Sequence, residues 1–290
     1  MNKSKIKEIA MEAVFLLAAC ASILSVVLIC VFLISNGLPA IKEVGVFKFL
    51  GGKVWKPGNE IFGILPMIVG SIYVTAGAII VGVPIGLLTA VFMAKFCPDW
   101  LHKILKPAFN LMAGIPSVVY GFFGLVVMVP MVREIFSIPG KRVNGNSMLT
   151  ASLLLGLMIL PTIISVSESA IRAVPEKYYQ GSLALGATHE RSVFLTVVPA
   201  AKSGILAGII LGVGRAIGET MAVIMVAGNQ PRMPKGALEG VRTMTANIVI
   251  EMGYAAGLHR EVLNATGVVL FVFILIINLA FSAVKRKAGN

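Results

Sequence analysis

The sequence predicts an all-α membrane protein with six transmembrane helices, and three observations carry that class. Hydrophobic residues make up 57% of the 290 and charged residues 13%, with a mean hydropathy of +0.92. A soluble domain carries roughly 25% charged residues, so this chain has too little charge to cover a globular surface in water. The apolar residues come in continuous blocks of twenty or more, not in the alternation of an outer-membrane barrel. The 25 Lys and Arg fall mostly between those blocks, where they set topology and meet lipid headgroups or soluble anions. A soluble enzyme, a disordered tail and a nucleic-acid-binding domain are excluded. The net charge of +12 therefore points to no nucleic acid partner.

Six segments are long enough to cross ~30 Å of hydrocarbon, which takes about 20 helical residues. They are 13–35, 62–94, 108–132, 148–171, 203–228 and 264–284. In the first, Leu17-Ala18-Ala19-Cys20 resembles a lipoprotein cleavage box. Glu8 and Glu12 interrupt the basic leader such a signal needs, and the apolar run continues through Ile34, so a retained transmembrane helix is expected. The second is longer than a span requires and holds Pro66 and Pro84, which predicts a kink or a tilted, broken helix. Pro116 and Pro161 are expected to interrupt the third and fourth. Glu168, near the cytoplasmic end of the fourth, can pair with Arg172 at i+4. Residues 1–61 read as an N-terminal transmembrane helix with an extracytoplasmic loop, and 62–290 as a core with five transmembrane helices.

Basic residues orient the chain in the cytoplasmic (inner) membrane. With the N-terminus inside, thirteen Lys and Arg face the cytoplasm and eleven the exterior, a slight bias of the expected sign. Both termini are then cytoplasmic. The outer loops hold Lys42, Lys48, Lys53, Lys56, Arg133, Lys141, Arg142, Arg232, Lys235, Arg242 and Arg260, and with six glutamates keep a formal charge of +5. Two readings of that charge stand: concentration of an anion, or contact with anionic headgroups. Trp55 and Trp100 read as headgroup-level anchors, with contact to a soluble partner open for the Trp55 loop.

The sequence offers little chemistry of its own. Cys20, Cys30 and Cys97 have no CxxC spacing, and His102, His189 and His259 lie far apart, so no disulfide scaffold or metal site is indicated. Walker, dinucleotide-binding and nucleophile-elbow motifs are lacking. Work against a gradient would draw on another subunit or a coupled ion.

The segment from Pro175 to Pro199, between spans four and five, reads as helix, turn and helix. Pro175 suits a first helical position and Glu176 complements the helix N-terminus. Tyr179, Leu183 and Ala187 would share a face. Gly186 can take the positive φ that ends the first helix, and Pro199 would end the second. This segment is similar to the EAA loop of ABC importer permeases: Glu-Ala-Ala, three residues, Gly, nine residues, Ile-x-Leu-Pro. Gln180, Gly181 and Ser182 stand at the Glu-Ala-Ala positions, and Gly186, Thr196, Val198 and Pro199 at the others. The spacing is kept while the Glu is replaced, so shape is what the resemblance carries. It implies a coupling loop over 175–200, with Tyr178, Tyr179, Gln180, Gly181, Ser182, Gly186 and Pro199 as its candidate residues. An amphipathic helix lying on the membrane is the alternative. For Tyr178, Tyr179 and Phe194, interfacial anchoring competes with contact to an ATPase; His189 and Glu190 fit the solvated turn.

Span five carries Arg215 twelve residues after Ser203, about 18 Å along a helix and so near mid-bilayer. A central Arg costs at least ~2.5–3.5 kcal/mol on insertion scales. Glu219, four residues on, would share its face, and the pair should not face lipid. Gly204, Gly208 and Gly212 form a smooth ridge for close helix packing. Two readings remain: a structural ion pair locking helices, or an anion site or gate, since the Arg fork matches phosphate oxygens.

Arg215-Ala216-Ile217-Gly218-Glu219-Thr220, Ala113-Gly114-Ile115-Pro116-Ser117-Val118-Val119-Tyr120-Gly121 and Gly63-Ile64-Leu65-Pro66 together resemble the phosphate-specific ABC importer permeases. The last motif and the preceding Trp55-Lys56-Pro57 favour the PstC type. The resemblance spans roughly 45–285. It implies the type I (MetI-like) permease fold, a PstA-type permease partner, two PstB-type ATPases holding ATP and Mg, and a PstS-type phosphate-binding protein. No cofactor is expected in this chain, and it is not expected to be an enzyme. It also implies that Arg215 and Glu219 act in phosphate passage. Glu219 would hold Arg215 while the path is empty. It could also accept a hydrogen bond from a protonated phosphate, which sulfate at neutral pH does not offer. Three alternatives remain: a permease for sulfate, molybdate or phosphonate; an ion-coupled carrier; and a non-transporting assembly or sensor subunit.

Overall fold

The structure is a computed structural model that describes residues 3–137 and 143–289. Lys141 and Arg142 of the outer loops lie outside the described residues.

Two long helices form one flank. Helix α1 (Lys3–Val44) contains the apolar stretch expected at 13–35, and α14 (Leu258–Gly289) contains the sixth span. They pack through Gly37, whose missing Cβ makes room for Ala265 and Val268. The rest of the apolar stretch of α1 is exposed, as suits a helix sheathed in lipid. A bend at Gly45 leads into the short α2 (Val46–Gly51) and then an antiparallel hairpin of β1 (Trp55–Lys56) and β2 (Ile61–Phe62). Trp55 is not a headgroup anchor: it is 5% exposed and packed edge-on against Phe62, with its indole satisfied by the Glu251 carboxylate.

Helix α3 (Leu65–Val91) runs on through a π turn at Phe92–Phe96. Pro66 sits in its first turn, where the missing N–H costs nothing. Pro84 lies inside the helix, which stays unbroken. Helix α7 (Met148–Arg172) likewise passes through Pro161 without interruption, contrary to the expected break. Both prolines lie where α3 and α7 grip each other: Gly77 accommodates Ser152, Gly82 accommodates Ile159 and Gly86 accommodates Ile163. Packing of this kind holds a helix straight across a missing backbone bond.

The third expected span is redrawn. Helix α4 (Asp99–Gly114) ends at Ile115, and a separate crossing begins with α5 (Ser117–Phe123), continues through a π turn and ends with α6 (Val129–Phe136). Pro116 is the break, because it forces Ile115 into extended backbone (φ −67°, ψ 127°). The crossing is therefore 117–136, not 108–132.

Between spans four and five lie α8 (Glu176–Ala184), α9 (His189–Ser192), a π turn at Val193–Val197 and α10 (Val198–Ala200). Gly186 takes φ +85° just past α8, as the sequence predicts. Pro199 does not end the second helix. It opens α10, and the chain turns by 70° at Ala201 instead. Helix α11 (Lys202–Gly218) follows, then α12 (Met221–Val226), a loop and α13 (Met244–Met252). Among the described residues, five helices are apolar and long enough to span, or six with the bent pair that includes α11. α7 is the most buried of them, and the main core of Leu154, Leu155, Met158, Ile159 and Ile163 lies along it.

Candidate functional site: a broken charged span and a braced loop between spans four and five

The glycine ridge packs as its spacing predicts. Gly204 lies against Ala170, Gly208 against Ser167 and Gly212 against Ile163, so α11 lies backbone-close on α7. This contact sets which way Arg215 faces. Arg215 is partly exposed. Tyr120, whose hydroxyl donates to the Met112 carbonyl at 2.9 Å, shares one core cluster with Ala216, and Ile115 packs against that cluster, so the charged motif of span five and the Pro116 motif of span three meet in space.

The expected Arg215–Glu219 ion pair is not formed. Span five does not continue as one helix to residue 228. It stops at Gly218, and Glu219 is extended (φ −69°, ψ 132°). That turns the Glu219 side chain off the Arg215 face. Glu219 Oε1 instead accepts the N–H groups of Thr220 (3.1 Å) and Ala222 (3.3 Å), capping α12. Its Oε2 has no hydrogen-bond partner among the described residues. Nor does any ion pair reach Arg215 among them. The break persists because α12 must reseat against α5, where Gly121 admits Ala222 and Met225. Irregular backbone at membrane depth survives only where protein or a water-filled cavity satisfies it.

Polar side chains gather around the break. Thr245 Oγ1 donates to the Glu219 carbonyl (3.2 Å) and is bonded to Thr243 (3.0 Å). Ser71 of α3 accepts the Met244 N–H (2.9 Å). Asn247 is fully buried with its Nδ2 unpaired.

Two buried carboxylates organise the ends of the bundle. At one end, Glu168 pairs with Arg172 at 3.0 Å, as the i+4 spacing predicts. It also takes Lys106 (2.6 Å) and His102 (2.7 Å) from α4, while Arg172 Nη2 donates to the Met93 carbonyl (2.8 Å). At the opposite end, Glu251 accepts the Trp55 indole N–H (2.9 Å), pairs with Arg242 (2.5 Å) and lies 2.8 Å from His259 Nε2. Arg242 also donates to Asn229 O (2.9 Å) and Asn247 Oδ1 (3.0 Å). Tyr254 beside this cluster has its phenol pushed above the ordinary range by burial and by the Glu251 charge. Sequence reasoning missed the Glu251 cluster because its members come from four elements with no shared spacing.

On the loop between α7 and α11, Tyr179 and Ser182 face inward. Ser182 Oγ accepts from Ser192 (3.0 Å) and Thr196 (3.4 Å). Gln180, Gly181, Ala184 and Gly186 face solvent, with Leu185 91% exposed and Tyr178 about half exposed. Pro199 stands at the far end of the loop, next to the bend. Glu190 is held below the usual carboxylate range by its own backbone N–H and then by the Thr188 hydroxyl. Two cavities, of about 620 Å³ beside Arg133 and about 530 Å³ beside Gln230 and Arg232, do not include Arg215 or Glu219 in their walls.

A lipid-sheathed bundle with a broken, charged span and an exposed elbow between spans four and five defines a multi-pass membrane permease. Residues 82–289 match the family model described as "Binding-protein-dependent transport system inner membrane component". The chain belongs to that family. Among its relatives, "Probable ABC transporter permease protein YqgH" of Bacillus subtilis is 36% identical, covering 94% of this chain and 90% of the relative. "Phosphate transport system permease protein PstC" of Mesorhizobium japonicum is 34% identical, covering 89% and 84%. A "Probable phosphate transport system permease protein PstC" of Methanocaldococcus jannaschii is 32% identical, covering 87% and 85%. Solved structures share the fold. A chain of a bacterial alginate ABC transporter superposes with a TM-score of 0.67 at 16% identity, covering 97% of this chain and 96% of that one. A chain of the MetNI methionine ABC transporter gives 0.60 at 20% identity, covering 81% and 99%.

Proposed function

We propose that this chain is the PstC-type permease subunit of an ATP-driven inorganic phosphate importer, forming the path with a PstA-type permease. Two PstB-type ATPases hold ATP and Mg on the cytoplasmic side, and a PstS-type protein delivers phosphate from outside. Both termini are cytoplasmic, which puts the elbow at α8 on the ATPase side. Residues 1–61 form a peripheral arm on a core of 62–290. The PstC relatives from Mesorhizobium japonicum and Methanocaldococcus jannaschii support the cargo.

The observation that carries the mechanism is the break at Glu219, with Arg215 one helical turn before it. An Arg without a carboxylate partner is a ready acceptor site for an oxyanion, and its planar fork matches two phosphate oxygens. Glu219 does not quench it, because its Oε1 is committed to α12. Oε2 remains to accept a hydrogen bond from a protonated phosphate oxygen, a contact that sulfate cannot return. ATP binding closes the ATPase pair, α8 follows, and the helices rock to open the path outward or inward.

The test is uptake of radiolabelled phosphate and sulfate by the four-component assembly in proteoliposomes, with and without ATP. Arg215→Ala is expected to lower phosphate uptake about tenfold or more, the cost of a lost charge-assisted bond; wild-type uptake would remove the anion role. Glu219→Gln is expected to admit sulfate, and unchanged discrimination would count against the proton filter. Uptake without any ATPase would indicate a self-sufficient carrier instead, and a binding protein loaded with another oxyanion would reassign the cargo.

A further inference from the structure

Chain connectivity ties α8 to α7 through Ala173–Pro175, and to α11 through α9 and α10. It does not tie α8 to α3, whose end lies far away in sequence. The last turn of α3 nevertheless reaches the loop at several points. Lys95 Nζ lies 3.5 Å from Glu176 Oε2 and 5.4 Å from the centre of the Tyr179 ring. The Phe96 ring stands edge-on to His189 with centres 4.8 Å apart, and packs on Phe194 at 6.2 Å. Tyr179 Oη and His189 Nδ1 share a hydrogen bond of 2.7 Å. Beneath these contacts Ala90, Val91, Ile171, Val193 and Val197 are sealed from solvent.

The two backbone stretches that meet here, Phe92–Phe96 and Val193–Val197, are both π turns. An extra residue in a helical turn rotates the remainder of the helix by ~100°. In α3 this rotation determines which way Lys95 and Phe96 face at the end of the helix. Such turns are uncommon and recur at functional sites.

We propose that Lys95, Phe96, Tyr179 and His189 form a clamp that passes displacement of α8 to α3, making α3 a third arm of the coupling mechanism. They are positioning residues, and the proposal rests on the coupling role proposed for α8. α3 is built to carry such a displacement outward. It lies against α7 through Gly77, Gly82 and Gly86, and at its outer end Gly70 leaves room for the Arg242 carbonyl. Ser71 there holds the Met244 N–H, and the adjacent Thr245 holds the Glu219 carbonyl. One helix thus links the cytoplasmic elbow to the break in span five.

The test uses the complete reconstituted transporter and reads phosphate moved per ATP hydrolysed, beside the amount of ATPase that copurifies. Tyr179→Phe removes the hydroxyl and keeps the ring over Lys95; Phe96→Leu removes the ring against His189. Each is expected to lower uptake per ATP by about three- to tenfold, the range of one side-chain hydrogen bond or aromatic contact, with ATPase bound as in the wild type. His189→Asn, which restores an acceptor near Nδ1, is expected to retain more coupling than His189→Ala. Unchanged uptake per ATP in both Tyr179→Phe and Phe96→Leu overturns the clamp alone. So does loss of uptake in proportion to lost ATPase, which would make these residues part of the dock. A wild-type assembly without ATP-dependent uptake overturns the transport function and the clamp together.

Discussion

Replacing Glu251 by Gln is expected to destabilise the Trp55 end of the bundle by about 3 kcal/mol. The carboxylate is 5% exposed and faces Arg242 and His259, themselves 12% and 14% exposed. Gln keeps an acceptor for the Trp55 indole but removes the charge opposite Arg242. Breaking a buried pair from one side costs about 3–5 kcal/mol, because the other charge stays desolvated. Arg242 keeps its bonds to Asn229 O and Asn247 Oδ1, which places the cost at the lower end. At ~2–4 °C per kcal/mol for a chain somewhat smaller than this one, the apparent Tm in detergent should fall by roughly 6–12 °C. Trp55 is one of two tryptophans, so intrinsic fluorescence reports the transition directly. Arg242→Gln combined with Glu251→Gln should cost less than the sum of the two, since no charge is then stranded. A single variant within about 1 °C of wild type, or strict additivity in the double variant, would refute the claim that this pair holds the hairpin, the outer loop and α13 together.

Gly212→Ala places a Cβ 2.8 Å from Ile163 Cγ1, whereas Gly214→Ala meets nothing within 4 Å. The first should lose ~1–3 kcal/mol by forcing α11 from α7 and the second should gain up to ~1 kcal/mol, read as opposite shifts in Tm. Leu185→Asp should leave Tm unchanged, because the side chain is 91% exposed. It should also reduce the copurifying ATPase about tenfold, the effect of losing a Leu side chain's burial in a partner groove; full retention would place the dock elsewhere.

Much of the molecule was fixed by local chemistry that can be read along the chain. Apolar blocks of spanning length, the i+4 pair of Glu168 and Arg172, the glycine ridge of α11 and the positive φ at Gly186 each follow from a few neighbouring residues. They need no knowledge of what lies across the bundle. Proline was legible only as a tendency. Pro116 breaks its span, leaving Ile115 extended between α4 and α5, whereas Pro161 does not break α7, which α3 grips along the glycines. The charged pair in span five marks the limit most clearly. Spacing brings Arg215 and Glu219 together on any unbroken helix. Only the reseating of α12 against Gly121 ends that helix at Gly218 and turns the carboxylate away. The Glu251 cluster and the Tyr179–His189–Phe96 contacts join elements far apart in sequence, and such partners are chosen by packing. A periodicity of 3.6 specifies which residues share a face; which face meets which neighbour is set by the shapes of the surfaces that close on one another.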